Sequence, residues 1–192
     1  MKRKIPLTKY IEVPDAAHIV YFFEDENDYI ENVLAYICRG IEKGDHLLII
    51  ENNVIYEQIE KKATEMFSEE QLTYIHYIDN HSFYSYHQDY HIHSIVEHFH
   101  NTLEPFLTSN VTVRTWAHVE WEAKEDIERQ LDEFEQLADC SVNEMGLVSV
   151  CAYPASAVSA SLQTAMMRSH EYLMTDKELV RSSLYKKPSL RK

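Results

Sequence analysis

Glycine is scarce in this chain, with three residues among 192. A phosphate-binding loop needs glycines so that backbone N–H groups can wrap the phosphate, and a lysine to neutralise it. The first strand-to-helix turn, Phe23 to Asp28, instead carries Glu24, Asp25, Glu26 and Asp28, with neither glycine nor lysine. Gly40 and Gly44 fall at the end of a helix, not its start, so ATP hydrolysis is not expected. The four acids complement the positive end of a helix dipole, and a cation site there is the other reading. Cysteine is equally sparse. Cys38, Cys140 and Cys151 form an odd set with no close pair, which argues against a disulfide framework or a cysteine-based zinc site. No apolar run approaches the roughly 20 residues of a membrane span, and none follows the basic N-terminus in the manner of a signal peptide. A reducing, cytoplasmic setting and no membrane partner are expected.

Positive charge is short wherever a core could form. The formal net charge is −14, from 18 basic and 32 acidic residues. Half of the basic residues stand at the ends: Lys2, Arg3, Lys4 and Lys9, then Arg181, Lys186, Lys187, Arg191 and Lys192. A body this acidic repels phosphate backbones, so no nucleic-acid partner is expected. The basic ends read as solvated tails.

What the chain does have is a hydrophobic fraction of 45% and an apolar pattern that switches period repeatedly. His18 to Phe23 reads as a buried strand. Asp25 to Gly44 reads as a helix with Ile30, Val33, Leu34, Ile37 and Ile41 on one face, started by Asp25 or Asn27 and ended by Gly40 or Gly44. His46–Ile50 is a strand, Val54–Phe67 a helix, Leu72–Ile78 a strand and Asp79–Tyr90 a loop. Ile92–Leu107 is a helix and Val111–Trp121 a strand. Lys124–Asp139 is a charged helix with Ile127, Leu131, Phe134 and Leu137 inward. Gly146–Tyr153 is a strand, and Ser159–Leu173 a final helix. The order predicts an α/β fold: a mostly parallel sheet of about five strands with helices on both faces. Val148–Ala152 and Ile19–Phe22, apolar throughout, belong at its centre. Residues 1–15 read as an N-terminal extension, 16–175 as the domain, and 176–192 as a basic tail or edge addition.

Three sets of residues carry chemical possibilities. Eleven histidines are present, and His81, His87, His91, His93, His98 and His100 crowd one segment. Their spacing lacks a zinc-site pattern, since His91/His98 and His93/His100 are seven apart and His87 falls in loop. A solvated helix face is the plain reading and a loosely held metal the other; no metal ligand is assigned. The strand C-terminal ends, where open α/β sheets bind ligands, offer Glu24, Asp25, Glu51, Asn52, Asp79, Asn80, Glu120, Trp121 and Tyr153. That composition suits a cationic or small polar organic ligand, or ordinary helix caps. Finally, alternation along Arg114–Trp121 puts Arg114, Trp116, His118 and Glu120 on one strand face. Such a row in a covered sheet either satisfies buried partners or lines a pocket. Cys151, in an apolar strand, reads as a small hydrophobe.

Several of these residues resemble those of a known family. His18-x-x-Tyr21, the helix end Arg39 to Asp45 followed by the strand Leu47–Ile50, Arg114-x6-Trp121, Cys151-Ala152-Tyr153 and the lone His170 resemble the methanogen/methylotroph sensory (MEDS) domain over about residues 16–173. Where that family usually has a glycine and an acid midway along the Arg-to-Trp strand, this chain has Ala117 and His118, with Glu120 nearby. The resemblance implies a RecA-like three-layer domain without a phosphate-binding loop, acting in sensing, with no established catalytic chemistry. It also draws His18 and His170 into the ligand-binding set of Arg114, Trp116, His118, Glu120 and Tyr153, expected to line one cavity.

Three functions remain open at this point. The first is a sensory module that binds an unidentified small molecule and controls a regulatory protein partner. The second is an enzyme using His118 and Glu120 as acid and base. The third is an interaction protein. No cofactor is named, and self-association stays open.

Overall fold

The computed structural model describes residues 4–7, 12–14, 16–84, 92–120 and 127–187. Two short strands, β1 (Lys4–Pro6) and β2 (Glu12–Pro14), pair antiparallel as a small sheet of their own. The main sheet begins with β3 (Ala17–Phe23), buried at every position. Then follow α1 (Glu26–Lys43), β4 (His46–Glu51), α2 (Asn53–Met66), a one-turn α3 (Glu69–Leu72), β5 (Ile75–Asp79) and α4 (Asn80–Tyr84). The second half holds α5 (Ile92–Thr108), β6 (Val113–His118), α6 (Ile127–Met145), β7 (Val148–Pro154), α7 (Ala160–Ser169), β8 (Tyr172–Met174) and β9 (Leu179–Arg181).

The seven strands of the main sheet lie in the order β5-β4-β6-β7-β3-β8-β9. Every pairing is parallel except β8 with β9. The two continuously apolar segments, β3 and β7, sit side by side in the interior, as strands covered on both faces must. Helices α1 and α2 cover one face, with Tyr29, Val33, Ile37 and Ile59 against Tyr21, Ile49 and Trp116. Helices α4 to α7 cover the other, with Tyr84, Leu103, Leu131, Val142 and Met166 against Val20, Ile50 and Cys151. The result is a three-layer sandwich.

Local chemistry fixes the ends of α1. The Asp25 carboxylate accepts hydrogen bonds from the backbone N–H groups of Asn27 and Asp28 at 2.8 and 3.0 Å, satisfying two of the unpaired donors of the first turn. Gly44 ends the helix at φ 77°, a left-handed conformation that glycine adopts without steric cost. Gly40 answers a different need. A Cβ there would stand 2.5 Å from Leu47 Cδ1, so any other residue would require the buried Leu47 side chain to move.

Four expectations are corrected. The sheet has seven strands, not about five, because β8 and β9 have three residues each and are too short to show a period. The third strand starts at Ile75, not Leu72, because Ser68 and Gln71 form a reciprocal cap that turns residues 69–72 into helix. The expected loop after Asp79 opens with α4, while residues 85–91 lie outside the described residues. The last helix ends at Ser169, and Leu173 lies in β8, paired to β3. Residues 176–192 supply an edge addition, since β9 falls among them.

Candidate functional site

The alternation expected along β6 is present, and it divides the candidate residues between the two sheet faces. On the α1/α2 face, Arg114 lies at the N-terminal end of the strands. Its Nε and Nη2 donate to Asp45 Oδ2 at 2.9 and 2.5 Å, and its guanidinium lies 5.5 Å from the centre of the Tyr36 ring. Both charges are buried. Burial makes such a pair obligatory, because either charge alone would be severely penalised. At the C-terminal end of the same face, His118 Nδ1 donates to Glu51 Oε1 at 2.5 Å. Tyr29 donates to the other Glu51 oxygen, and the Trp116 indole N–H donates to the Tyr29 hydroxyl at 2.9 Å. Burial, then the Glu51 charge, pushes the Tyr29 hydroxyl well above its ordinary pKa. His118 Nε2 has no hydrogen-bond partner among the described residues and lies 3.8 Å from Glu120 Oε1. Glu120, at the protein surface, accepts from Asn80 at 2.8 Å and Asn52 at 3.3 Å.

The turn between β3 and α1, where a phosphate loop would lie, is filled from within. The Asp176 carboxylate accepts from the backbone N–H groups of Glu24 and Asp25 at 3.1 and 3.2 Å and from the Tyr21 hydroxyl at 2.5 Å. An internal anion thus occupies the donors that a bound phosphate would need.

On the opposite face, β3, α6, β7 and the end of α7 bring together His18, Glu135, Cys151 and His170. Each offers one ligand-type atom, and these four atoms lie within 4.8 Å of one another. All four residues are buried, and none is more than 6% exposed. The His18 and His170 rings stack with centroids 3.9 Å apart. His170 Nδ1 donates to Met166 O at 2.8 Å, and His18 Nδ1 faces Ser169 O and Asp139 Oδ1, both at 3.3 Å. Each ring therefore spends its Nδ1 hydrogen outward and turns Nε2 inward. Cys151 Sγ lies 3.4 Å from His18 Nε2. Tyr153 donates to Glu135 Oε1.

Electrostatics separate the roles within this cluster. Burial, then the adjacent His170, holds His18 below its ordinary pKa and favours the neutral ring. Burial would push the Glu135 carboxyl up, but His170, His18 and the Tyr153 hydroxyl together bring it below the ordinary carboxylate value. Burial and the Glu135 charge push the Cys151 thiol and the Tyr153 hydroxyl well up.

Beside the cluster, beneath α4, α5 and α6, lies a cavity of about 30 Å³. Its walls include Ile50, Phe83, Tyr84, Phe99, Ala117 and Phe134, with His18, Ser149 and Cys151 at one side. Sequence reasoning did not single out Glu135, Asp45 or Asp139, and it assigned Cys151 to packing.

The sequence model of the methanogen/methylotroph, DcmR sensory domain family matches residues 17–171. The chain belongs to that family. Every residue of the buried four-residue cluster lies within the matched span of this MEDS domain. A KaiC-like protein from the hyperthermophilic archaeon Pyrococcus horikoshii OT3 has a similar fold, with a TM-score of 0.60 at 12% identity, over 93% of this chain and 85% of that one. That likeness shows a RecA-like fold. No curated protein matches the sequence.

Within the MEDS domain the seven expected site residues do not share one cavity. Arg114, Trp116, His118 and Glu120 lie on the α1/α2 face or its rim, with Arg114 at the other end from His118 and Glu120. Tyr153, His18 and His170 meet on the α4–α7 face, joined through Glu135. Trp121, His87 and His91 lie outside the described residues. Of the histidine-rich segment, His100 bonds Ser141 at 3.0 Å and His98 packs against Phe83. Among the described residues, no helix is long and apolar enough to cross a membrane.

Proposed function

We propose that this MEDS domain is a sensory, regulatory module whose ligand is a small, mainly apolar molecule held in the cavity beneath α4, α5 and α6. The observation that carries this reading is the cavity itself: an apolar void, about 30 Å³, with polar groups confined to one side. A water-sized group needs about 10–15 Å³ of such space, so a cavity of about 30 Å³ suits a molecule of roughly two or three heavy atoms. An occupant would touch the sheet and three helices at once. Binding would therefore favour one packing of those helices over another, which is how a ligand shifts a conformational equilibrium. A partner protein reading that helical surface would receive the signal. Family membership supports the sensory role.

Thermal denaturation with methanol, ethanol and acetonitrile tests the reading. A binder raises the melting temperature in proportion to its occupancy. Benzene-sized molecules should give no shift. If no molecule of two or three heavy atoms raises it, the proposal fails.

A second reading rests on His118. Its Nε2 faces Glu120 while Glu51 orients its other nitrogen, the arrangement of a general base. Turnover of a small polar substrate, lost in His118→Gln, would favour catalysis at this opposite face of the sheet over sensing in the cavity.

A further inference from the structure

We infer that His18, Glu135, Cys151 and His170 form a binding site for one divalent transition-metal ion of zinc's type. The inference goes beyond the sensory reading, because a metal here requires no occupant in the neighbouring cavity.

The argument starts from what is left unsatisfied. His170 Nε2 and Glu135 Oε2 are buried and have no hydrogen-bond partner among the described residues. They lie 3.3 Å apart. Buried polar atoms are almost always paired, so two adjacent orphans call for something between them. His170 Nδ1 already spends its hydrogen on Met166 O, so in the neutral ring Nε2 presents a lone pair to a carboxylate oxygen. A cation between them satisfies both, either a proton on Nε2 or a metal ion, and the two further ligand-type atoms within 4.8 Å favour the metal.

The distances suit a metal. Zinc bonds of about 2.0–2.3 Å to nitrogen, oxygen and sulfur place tetrahedral ligand atoms roughly 3.3–3.8 Å from one another. Cys151 Sγ to His18 Nε2 is 3.4 Å, His170 Nε2 to Glu135 Oε2 is 3.3 Å, and His18 Nε2 to Glu135 Oε2 is 3.8 Å. The remaining pairs lie within 4.8 Å. Loading the ion turns the two stacked imidazoles apart so that both lone pairs converge.

The surroundings fit as well. Metal-bound histidines donate their second nitrogen to a carbonyl or carboxylate. His170 does so to Met166 O, and His18 Nδ1 faces Ser169 O and Asp139 Oδ1. Glu135 has its far oxygen fixed by Tyr153. Two neutral imidazoles, one carboxylate and one thiolate carry two negative charges, which a dication cancels. Binding displaces the Cys151 thiol proton to solvent as the metal–sulfur bond forms. A four-residue set of two nitrogens, a sulfur and a carboxylate favours zinc among common divalent ions, with cobalt(II) as a spectroscopic substitute. The ligands come from β3, α6, β7 and the end of α7, so the ion would fasten two helices to the sheet beside the cavity.

The test uses the full chain, stripped with chelator and titrated with zinc chloride and cobalt(II) chloride. One equivalent of zinc should bind and raise the melting temperature. Cobalt should give a thiolate charge-transfer band together with tetrahedral visible absorption. The band should vanish in Cys151→Ser, and His170→Asn should lose stoichiometric binding. Tyr153→Phe, which frees only the orienting bond, should weaken zinc binding about 10–100-fold. Changing His93 and His98 on α5 to glutamine should leave binding unchanged. Absence of a cobalt–thiolate band in the unaltered chain overturns the inference without relying on any variant. Zinc binding retained in the Cys151→Ser, His170→Asn double variant overturns it too, by placing the metal elsewhere.

Discussion

Arg114 and Asp45 form a buried ion pair at the N-terminal end of the parallel strands, with Nη2 2.5 Å from Oδ2. Ligands of open α/β sheets bind at the opposite, carboxyl end, so the expected role of the pair is to hold the domain together. Arg114→Ala leaves Asp45 charged and buried, and should destabilise the domain by about 3–5 kcal/mol in urea unfolding. Arg114→Met combined with Asp45→Ala should cost far less, because no charge is then stranded. Equal loss in the single and double variants would show that the pair is not the source of the effect.

That placement shows how far the sequence could be read. The strand alternation put Arg114, Trp116, His118 and Glu120 on one face, and the fold agrees. It could not say which end of the strand mattered, because Arg114's partner, Asp45, follows a helix cap 69 residues away. Glu135 was hidden differently. Helix α6 is so rich in charge that one more glutamate reads as solvated. Yet Leu131, Glu135, Ala138 and Val142 fall at successive helical spacings, and all are buried, so the signal was present in the phase. The apolar pattern of residues 159–173 places His170 inside a helix. The residue caps that helix instead, and the turn into β8 places it over His18. The continuous apolar runs of β3 and β7 were legible because burial on both faces leaves no polar position.

Asp176 joins the C-terminal segment to the β3–α1 turn through three hydrogen bonds. Asp176→Ala should therefore speed hydrogen exchange at the amides of Glu24 and Asp25 and cost about 1–3 kcal/mol, the usual loss when donors are left without a charged acceptor. Asp176→Asn should retain part of the protection. Unchanged exchange at both amides would show that the carboxylate does not hold this turn.

A pair of histidines at the β4–β5 edge predicts acid sensitivity. His46 Nδ1 lies 2.8 Å from His76 Nε2, a bond that needs one nitrogen bare. The uncharged rings of Tyr74 and Phe106 pack around the pair. Burial, then His46, holds His76 below its ordinary value of about 6.5. The native state thus binds fewer protons than the unfolded chain. Its contribution to stability is complete above about pH 6.5 and falls as pH drops toward the folded-state value. Urea midpoints at about pH 7.5 and about pH 5.5 should differ less in His76→Gln than in the unaltered domain. An identical difference would exclude His76 as a source.

Ala117 offers the cleanest separation of cavity from scaffold. It sits on β6 with its methyl group in the cavity wall, level with Cys151 across the strand pair. Ala117→Val adds two carbons into a void of about 30 Å³. Valine suits a strand, and filling an existing void should keep the change in stability without ligand within about 1 kcal/mol. The same two carbons take the space that a molecule of two or three heavy atoms would need. The substitution should therefore abolish ligand-induced thermal stabilisation while leaving the melting temperature without ligand nearly unchanged. It should also leave zinc-dependent stabilisation intact, because the four proposed ligand atoms are untouched. A variant that still shows the full ligand shift would move the small-molecule site out of this cavity. One that loses the zinc response as well would show that cavity and cluster respond as one unit.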